Sequence, residues 1–295
     1  MPDFISVNGQ LIPYDDARIA PGDTGFLHGA GLFETLRVHN SKPFRLAQHL
    51  ARLTASAATL SISFSLDLPQ LQELISDLLE ANDLKDARLR ITISRGDLHE
   101  ATADNPEPPT TLVIAAAAFT PYAATLYEKG MTVQISRFKQ NPDSPVTGHK
   151  TTSYFDRLLA LRDAQQAQCS EALVFTGDNA TVAEGCISNV FAVLADGTLA
   201  TPPLNLPNTD KRLCLPGITR ELIFSIAKDL GVLPHDRLIP IADLLAAREI
   251  FLTNAIMGVM PVTHLEQHTV GSGVPGEVTG KLRTAYAQLL AVECL

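Results

Sequence analysis

The stretch TTLVIAAAAF, residues 110–119, carries no charge and reads as a strand buried on both faces. A strand of that kind needs packing layers on two sides, so the chain around it has to supply both helices and further strands. ARLRITISRG, residues 87–96, reads as a neighbouring strand. FTPYAATLY, residues 119–127, follows the long apolar strand and the Pro-rich loop before it, and the domain boundary is expected there. That gives a small N-terminal α/β domain over 1–118 and a larger C-terminal domain over 119–295. The fold class expected is α+β, a two-domain α/β chain.

Other segments fit this organisation. FISVNGQLI predicts a hairpin through Asn8-Gly9, and LFETLRVHNSKPFRL two strands around Asn40-Ser41. Leu46, Leu50, Leu53, Ala57 and Leu60 recur at helical spacing. A second helix is expected from Leu68 to Glu80, with Asp67 as N-cap and Pro69 in its first turn. Past the boundary, MTVQISRF reads as a strand and SYFDRLLALRDAQQA as a helix whose Ser153 and Asp156 resemble a capping box. EALVFTGDNATVAEGCISNVFAVLADGTLATPP alternates strands with turns. GITRELIFSIAKDLG predicts a helix stopped by Gly231, REIFLTNAIMGVMPV a strand running into a loop, and the segment from Glu277 a last helix.

A hydrophobic fraction of 45% against 19% charged residues describes a core-forming chain rather than a disordered one. The net charge of -9 and the lack of any basic run exclude a nucleic-acid footprint. The N-terminus has acidic residues where a signal peptide carries basic ones, and no run approaches the ~18 apolar residues of a membrane span. Cys169, Cys186, Cys214 and Cys294 are widely spaced and form no CxxC pair, as expected of thiols in a reducing, cytoplasmic compartment.

GSGVPG, residues 271–276, satisfies GxGxxG, yet no βαβ unit can follow it before Leu295, so a surface loop is expected. His264 and His268 stand four apart between Pro261 and a glycine-rich stretch, without a supporting ligand cluster, and no metal site is expected. There is neither a GxSxG elbow nor a P-loop.

Lys150, at the end of a Pro/Gly/Asn-rich loop, is by itself explained as a solvated charge. Three other features change its standing. Glu184 lies in an apolar strand-turn region, where a carboxylate is costly without a partner. Gly217 to Thr219 opens a helix after Pro216, with free N–H groups and a hydroxyl that suit an anion, and Thr253 to Ala255 offers a second such cluster. An amine, a carboxylate and a phosphate cradle suit a phosphorylated cofactor with a basic ring nitrogen, and pyridoxal phosphate meets all three demands.

The chain resembles the fold-type IV pyridoxal-phosphate enzymes: branched-chain and D-amino-acid aminotransferases and aminodeoxychorismate lyase. The resemblance runs in order through GFLHGAGLFETLRV, PFRLAQHLARL, HKTTSY, EALVFTGDNATVAEGCISNVFAV, LPGITRELI and FLTNAIMGVMPV. It implies that the cofactor lies between the two domains and that Lys150 carries it, acting as nucleophile and then base. It implies that Glu184 holds the ring nitrogen protonated, that Arg52, Ile218, Thr219, Thr253 and Asn254 bind the phosphate, and that Tyr154 lies near the phenolic oxygen. Without it, Arg52 reads as a solvated helix charge and Tyr154 as a core aromatic.

Within the group, FET at Phe33 to Thr35, TNAIMGVMPV, and Tyr154 four rather than five residues after Lys150 look most like aminodeoxychorismate lyase. Branched-chain aminotransferases typically show FEG and a tyrosine five on, and SRGDLHE lacks the Arg-x-His of D-amino-acid aminotransferases. The implied reaction releases pyruvate from 4-amino-4-deoxychorismate and leaves 4-aminobenzoate for folate biosynthesis. Thr35 would give a proton to the leaving group, or is simply a β-branched strand residue. His28 and Glu34 are placed at the substrate. His28-Gly29-Ala30-Gly31 departs from the Tyr/Phe-Gly-Asp-Gly of many relatives, and His28 would bind a carboxylate, shuttle a proton or pack as a neutral ring. A class IV aminotransferase using 2-oxoglutarate is the alternative, and a non-catalytic pyridoxal-phosphate-binding protein the second. The resemblance also implies a homodimer working on a small amino substrate.

Overall fold

The structure is a computed structural model that describes residues 2–101, 108–177 and 180–295. The chain divides into two compact units, one of Met1–Thr120, His149–Tyr154 and Leu290–Leu295, the other of Pro121–Gly148 and Phe155–Leu289.

In the first unit, β1 (Phe4–Val7) and β2 (Gln10–Pro13) form the hairpin expected at Asn8-Gly9. Both turn residues have positive φ, 51° and 81°, as a two-residue turn matched to strand twist requires. A short helix, α1 (Thr24–His28), precedes β3 (Gly31–His39), which turns through Asn40-Ser41 into β4 (Lys42–Pro43). Then come α2 (Leu46–Thr59), α3 (Leu68–Ala81), β5 (Ala87–Ser94) and β6 (Thr111–Ala118). Asp67 and Gln70 close a reciprocal capping box at the start of α3. Among the described residues the sheet runs β2-β1-β6-β5-β3-β4, every pair antiparallel. One face, with Leu32, Leu36, Leu89, Ile91 and Ile114, packs on Leu50, Leu53, Leu71 and Ile75 of α2 and α3.

The expectation that residues 110–119 are buried on both faces is corrected here. In β6 only Ile114 and Ala116 are buried, while Ala117 and Ala118 are exposed. Its alanines present too little apolar area to demand a second layer, so composition overstated the burial.

The second unit starts with α4 (Ala124–Lys129), β7 (Met131–Gln140), α5 (Phe155–Gln166) and β8 (Glu171–Thr176). It continues with β9 (Val182–Gly185), β10 (Asn189–Val193), β11 (Leu199–Thr201), α6 (Ile218–Asp229), β12 (Pro234–Asp236) and α7 (Ile241–Leu245). It closes with β13 (Glu249–Asn254), β14 (Gly258–Leu265), β15 (His268–Thr269) and α8 (Glu277–Glu293). Its sheet runs β12-β11-β10-β13-β14-β7-β8-β9, with β15 paired to β14. Phe175, Val190, Ile250, Leu252, Met260 and Val262 build its core. Gly231, at φ 75°, follows the end of α6 as expected.

Two local expectations give way. The loop expected after REIFLTN is strand β14, in which Pro261 sits opposite Phe251 in the middle of the sheet. Proline lacks the ladder donor and argues against a central strand, which is why the sequence concealed it. Helix α5 starts at Phe155, so Ser153 lies one residue before the N-cap position rather than in a capping box. The chain has the α+β architecture of two mixed sheet-and-helix units.

Candidate active site

In the first unit, Lys150 is held by strand pairing. Its carbonyl accepts from Phe33 N at 2.9 Å, Thr152 N donates to Gly31 O at 2.8 Å, and Thr151 bridges Leu32. Thr152 Oγ1 adds a bond to Gly29 O at 2.8 Å. The loop lysine is thereby fixed on the edge of β3. Its Nζ stands 4.5 Å from the centre of the Phe33 ring, and the Arg90 guanidinium 3.8 Å from it. The Tyr154 ring meets Phe33 edge-on at 5.4 Å. Thr35, two residues after Phe33, shares its sheet face and lies opposite Arg90 on β5. Lys150, Thr35, Tyr154 and Arg90 therefore gather around one phenylalanine.

Glu34 points the other way, to the α2 side. It accepts from Arg52 through Nε at 2.8 Å and Nη2 at 2.5 Å, and from His49 Nδ1 at 2.7 Å. Burial alone would raise the Glu34 carboxyl, but the Arg52 charge and the two donors hold it at about 2. Burial outweighs Glu34 at His49 and lowers the imidazole, so the contact is a neutral ring N–H on a carboxylate rather than a second ion pair. Two of Arg52's donors are thus spent on Glu34, and Glu34, expected at the substrate, is 1% exposed. His28 ends α1 on an exposed surface.

In the second unit, Glu184 of β9 is 4% exposed and bonded through both oxygens. Its Oε1 accepts from Arg157 Nη2 at 2.6 Å and its Oε2 from Leu215 N at 3.0 Å. Leu215 O in turn accepts from Asn189 Nδ2 at 2.9 Å, and Asn189 lies opposite Thr253 in the β10–β13 ladder. Asn189 Oδ1 also lies 1.9 Å from where a Cβ on Gly217 would sit, so only glycine fits there. Gly217 is the N-cap of α6 and offers no side chain to the N–H groups of Ile218 and Thr219, which are left facing outward from the helix start. Thr253 is 1% exposed, and its Oγ1 has no partner among the described residues. A buried orphan hydroxyl costs free energy unless a ligand supplies an acceptor or donor. Glu184, Ile218, Thr219 and Thr253 are thus linked through Leu215, Asn189 and Gly217.

Asn254 differs from expectation in what its side chain does. Its Oδ1 accepts from Ile256 N and Met257 N, and its Nδ2 donates to Ile187 O. It shapes the β13–β14 turn, and its side chain is committed there.

Four residues that the sequence reading passed over belong to these clusters: His49, Arg90, Arg157 and Asn189. Two of them left a signal: Asn189 begins a strand despite poor strand propensity, and Arg157 places a cation in the first turn of a helix.

The family model for class IV amino-transferases matches residues 31–265. Aminodeoxychorismate lyase of Bacillus subtilis (strain 168) is 32% identical over 96% of this chain and 93% of its own length. The crystal structure of the Escherichia coli branched-chain amino acid aminotransferase superposes with a TM-score of 0.88 at 28% identity, covering 98% of this chain and 95% of that one. The T.th. branched-chain amino acid aminotransferase, solved with pyridoxamine 5′-phosphate, gives a TM-score of 0.87 at 27% identity, covering 98% and 94%.

Proposed function

The chain belongs to the class IV amino-transferase family, whose enzymes use pyridoxal 5′-phosphate, and within it we propose an aminodeoxychorismate lyase that converts 4-amino-4-deoxychorismate to 4-aminobenzoate and pyruvate. The residues present fit that cofactor. An orphan hydroxyl on Thr253 and the uncapped start of α6 suit a phosphate, and a buried ionisable carboxylate on Glu184 suits a protonated ring nitrogen.

When bound, the cofactor supplies an electron sink for the carbon that bears the substrate's amine. Lys150 would carry it and, when freed, would take the proton from that carbon through Nζ. Glu184 would hold the ring-nitrogen proton. Ile218 N, Thr219 and Thr253 Oγ1 would hold the phosphate, with Arg52 oriented by Glu34 as its counter-charge. Tyr154, packed on Phe33, would face the phenolic oxygen. As the C–O bond to the enolpyruvyl group breaks, Thr35 Oγ1 would hand a proton to the enolpyruvate carbon and regain one from the Lys150 ammonium, so that no alkoxide is left.

The observation that carries the lyase reading is that Thr35 and the Lys150 amine share the Phe33 face of β3, so a hydroxyl donor and an amine base meet one substrate. Arg90 favours a second reading. It lies over Phe33 opposite Thr35 and makes no ion pair among the described residues, and a second carboxylate on an amino acid or 2-oxo acid would supply one. That suits an aminotransferase acting on branched-chain or D-amino acids. We also propose that the chain works as a homodimer.

One assay decides between the two. Purified enzyme is given 4-amino-4-deoxychorismate without any oxo acid and pyruvate is measured, while amino donors with 2-oxoglutarate are tested in parallel. Pyruvate release without an acceptor is expected. Turnover only in the parallel assay would replace the lyase by the aminotransferase.

A further inference from the structure

Arg157 is the third residue of α5, where the unsatisfied N–H groups of a helix start disfavour a cation. Its partners compensate. Nη1 donates to Gly185 O at 2.9 Å and to Cys186 O at 3.4 Å. Nη2 donates to Gln140 Oε1 at 3.2 Å and to Glu184 Oε1 at 2.6 Å. Gln140, on β7, is itself oriented by a bond from Nε2 to Leu213 O at 2.9 Å. One planar guanidinium thus grips the backbone just after Glu184 and the Glu184 carboxylate together. Lysine, with a single ammonium, cannot reproduce that fork.

The Glu184 oxygens are held from opposite sides, Oε1 by Arg157 and Oε2 by Leu215 N. A carboxylate has about four acceptor sites, so this grip fixes the rotamer and leaves lone pairs for a further N–H. The other ionisable groups facing the pair are Glu171 of β8 and the thiols of Cys186 and Cys214, both pushed up to about 12 by burial.

We propose that Arg157 is a positioning residue for the cofactor: it sets the direction and the effective charge of Glu184, and so how firmly the ring nitrogen is held protonated. The proposal rests on the reading of Glu184 as the partner of that nitrogen. A buried carboxylate stripped of its partner is costly, and without the guanidinium only Gln140 Nε2, at 3.5 Å, remains to direct Oε1. Paired with Arg157 it stays an acceptor. The pair is close to neutral, so it would meet the ring nitrogen without adding excess negative charge.

The test uses cofactor-free protein reloaded with pyridoxal phosphate. Two quantities are read without turnover: the equilibrium affinity, from quenching of tyrosine fluorescence, and the pH midpoint of the bound cofactor's visible absorbance. Arg157→Gln is expected to weaken affinity about tenfold or more and to move the midpoint by about one unit. Arg157→Lys, which keeps the charge without the fork, should fall between it and wild type. In a Glu184→Gln background the Arg157→Gln change should shift the affinity less than about threefold and the midpoint less than about half a unit. A folded Arg157→Gln with wild-type affinity and midpoint overturns the proposal, as does an equal effect of that change with and without Glu184. If Arg157→Gln does not fold, the Arg157→Lys values decide by the same criterion. Should Glu184→Gln alone leave both quantities unchanged, the assignment of Glu184 to the ring nitrogen falls instead.

Discussion

Replacing Glu34 by glutamine tests whether the first unit is organised around the Glu34–Arg52 pair. The folded carboxyl is held at about 2 against an ordinary 4.5, a drop of about 2.5 units. At about 1.36 kcal/mol per unit, ionised Glu34 contributes roughly 3 kcal/mol to stability at pH 7. A second route gives a similar figure. Arg52 has a side chain only 10% exposed, and stripping a buried cation of its partner costs about 3–5 kcal/mol. Because the folded pKa is depressed, the contribution is present in full above 4.5 and is lost as pH falls towards 2. Urea unfolding of cofactor-free wild type and Glu34→Gln is therefore expected to show a gap of about 3 kcal/mol at pH 7 that closes between pH 4.5 and 2. His49, neutral when folded, adds an acid penalty of the same sign below its ordinary 6.5, and because Glu34 partly offsets the burial of the imidazole that penalty is the larger in Glu34→Gln, so the gap widens slightly before it closes. A gap under about 1 kcal/mol at pH 7, or one that is as wide at pH 3, would refute the reasoning.

Three further outcomes are expected. Thr253→Val removes an orphan hydroxyl, so the cofactor-free protein should be as stable as wild type or up to about 1 kcal/mol more so, while cofactor affinity drops about tenfold. Melting curves and a binding titration read the two opposed signs. If Thr35 donates the proton, Thr35→Val should cut pyruvate release about 10²-fold or more and Thr35→Ser should restore most of it, as steady-state rates would report. Glu171 reverses the sign seen at Glu34. Burial raises it to about 7, against bonds from Ile187 N and Ser188 Oγ, so its contribution is present below 4.5 and lost as pH rises through 7. Wild type should lose about 3 kcal/mol between pH 5 and 9 that Glu171→Gln does not lose.

Much of the scaffold is legible in the sequence because its signals are local. Asn8-Gly9, the Asp67 N-cap with Pro69 behind it and Gly231 each act over a few residues, and each stands where its chemistry places it. β14 was concealed by Pro261, whose tolerance in a central strand depends on its ladder partners rather than on its own neighbourhood. The exposed alanines of β6 failed in the same way, since burial is decided by what packs on a strand and not by its apolar count.

The candidate site divides along a similar line. Glu184 and the start of α6 announce themselves, because an acid in an apolar strand or a Pro-Gly-Ile-Thr helix start is conspicuous by residue type, and Lys150 gains its standing from their company. What holds them does not. Glu34 looks like a substrate residue by its place beside Thr35, yet strand alternation turns it to the opposite face, where Arg52 and His49 meet it from α2. Arg157 looks like one more charge on a helix, and only the fold brings it to an acid 27 residues on. Both arginines are tied to a buried carboxylate, and both carboxylates would be costly alone. The physical requirement to pair buried charge therefore fixes the direction of Arg52 in one unit and of Glu184 in the other. On the proposed roles each group is oriented within its own unit before a ligand arrives, so losing either arginine should show first in how the cofactor is held and only then in turnover.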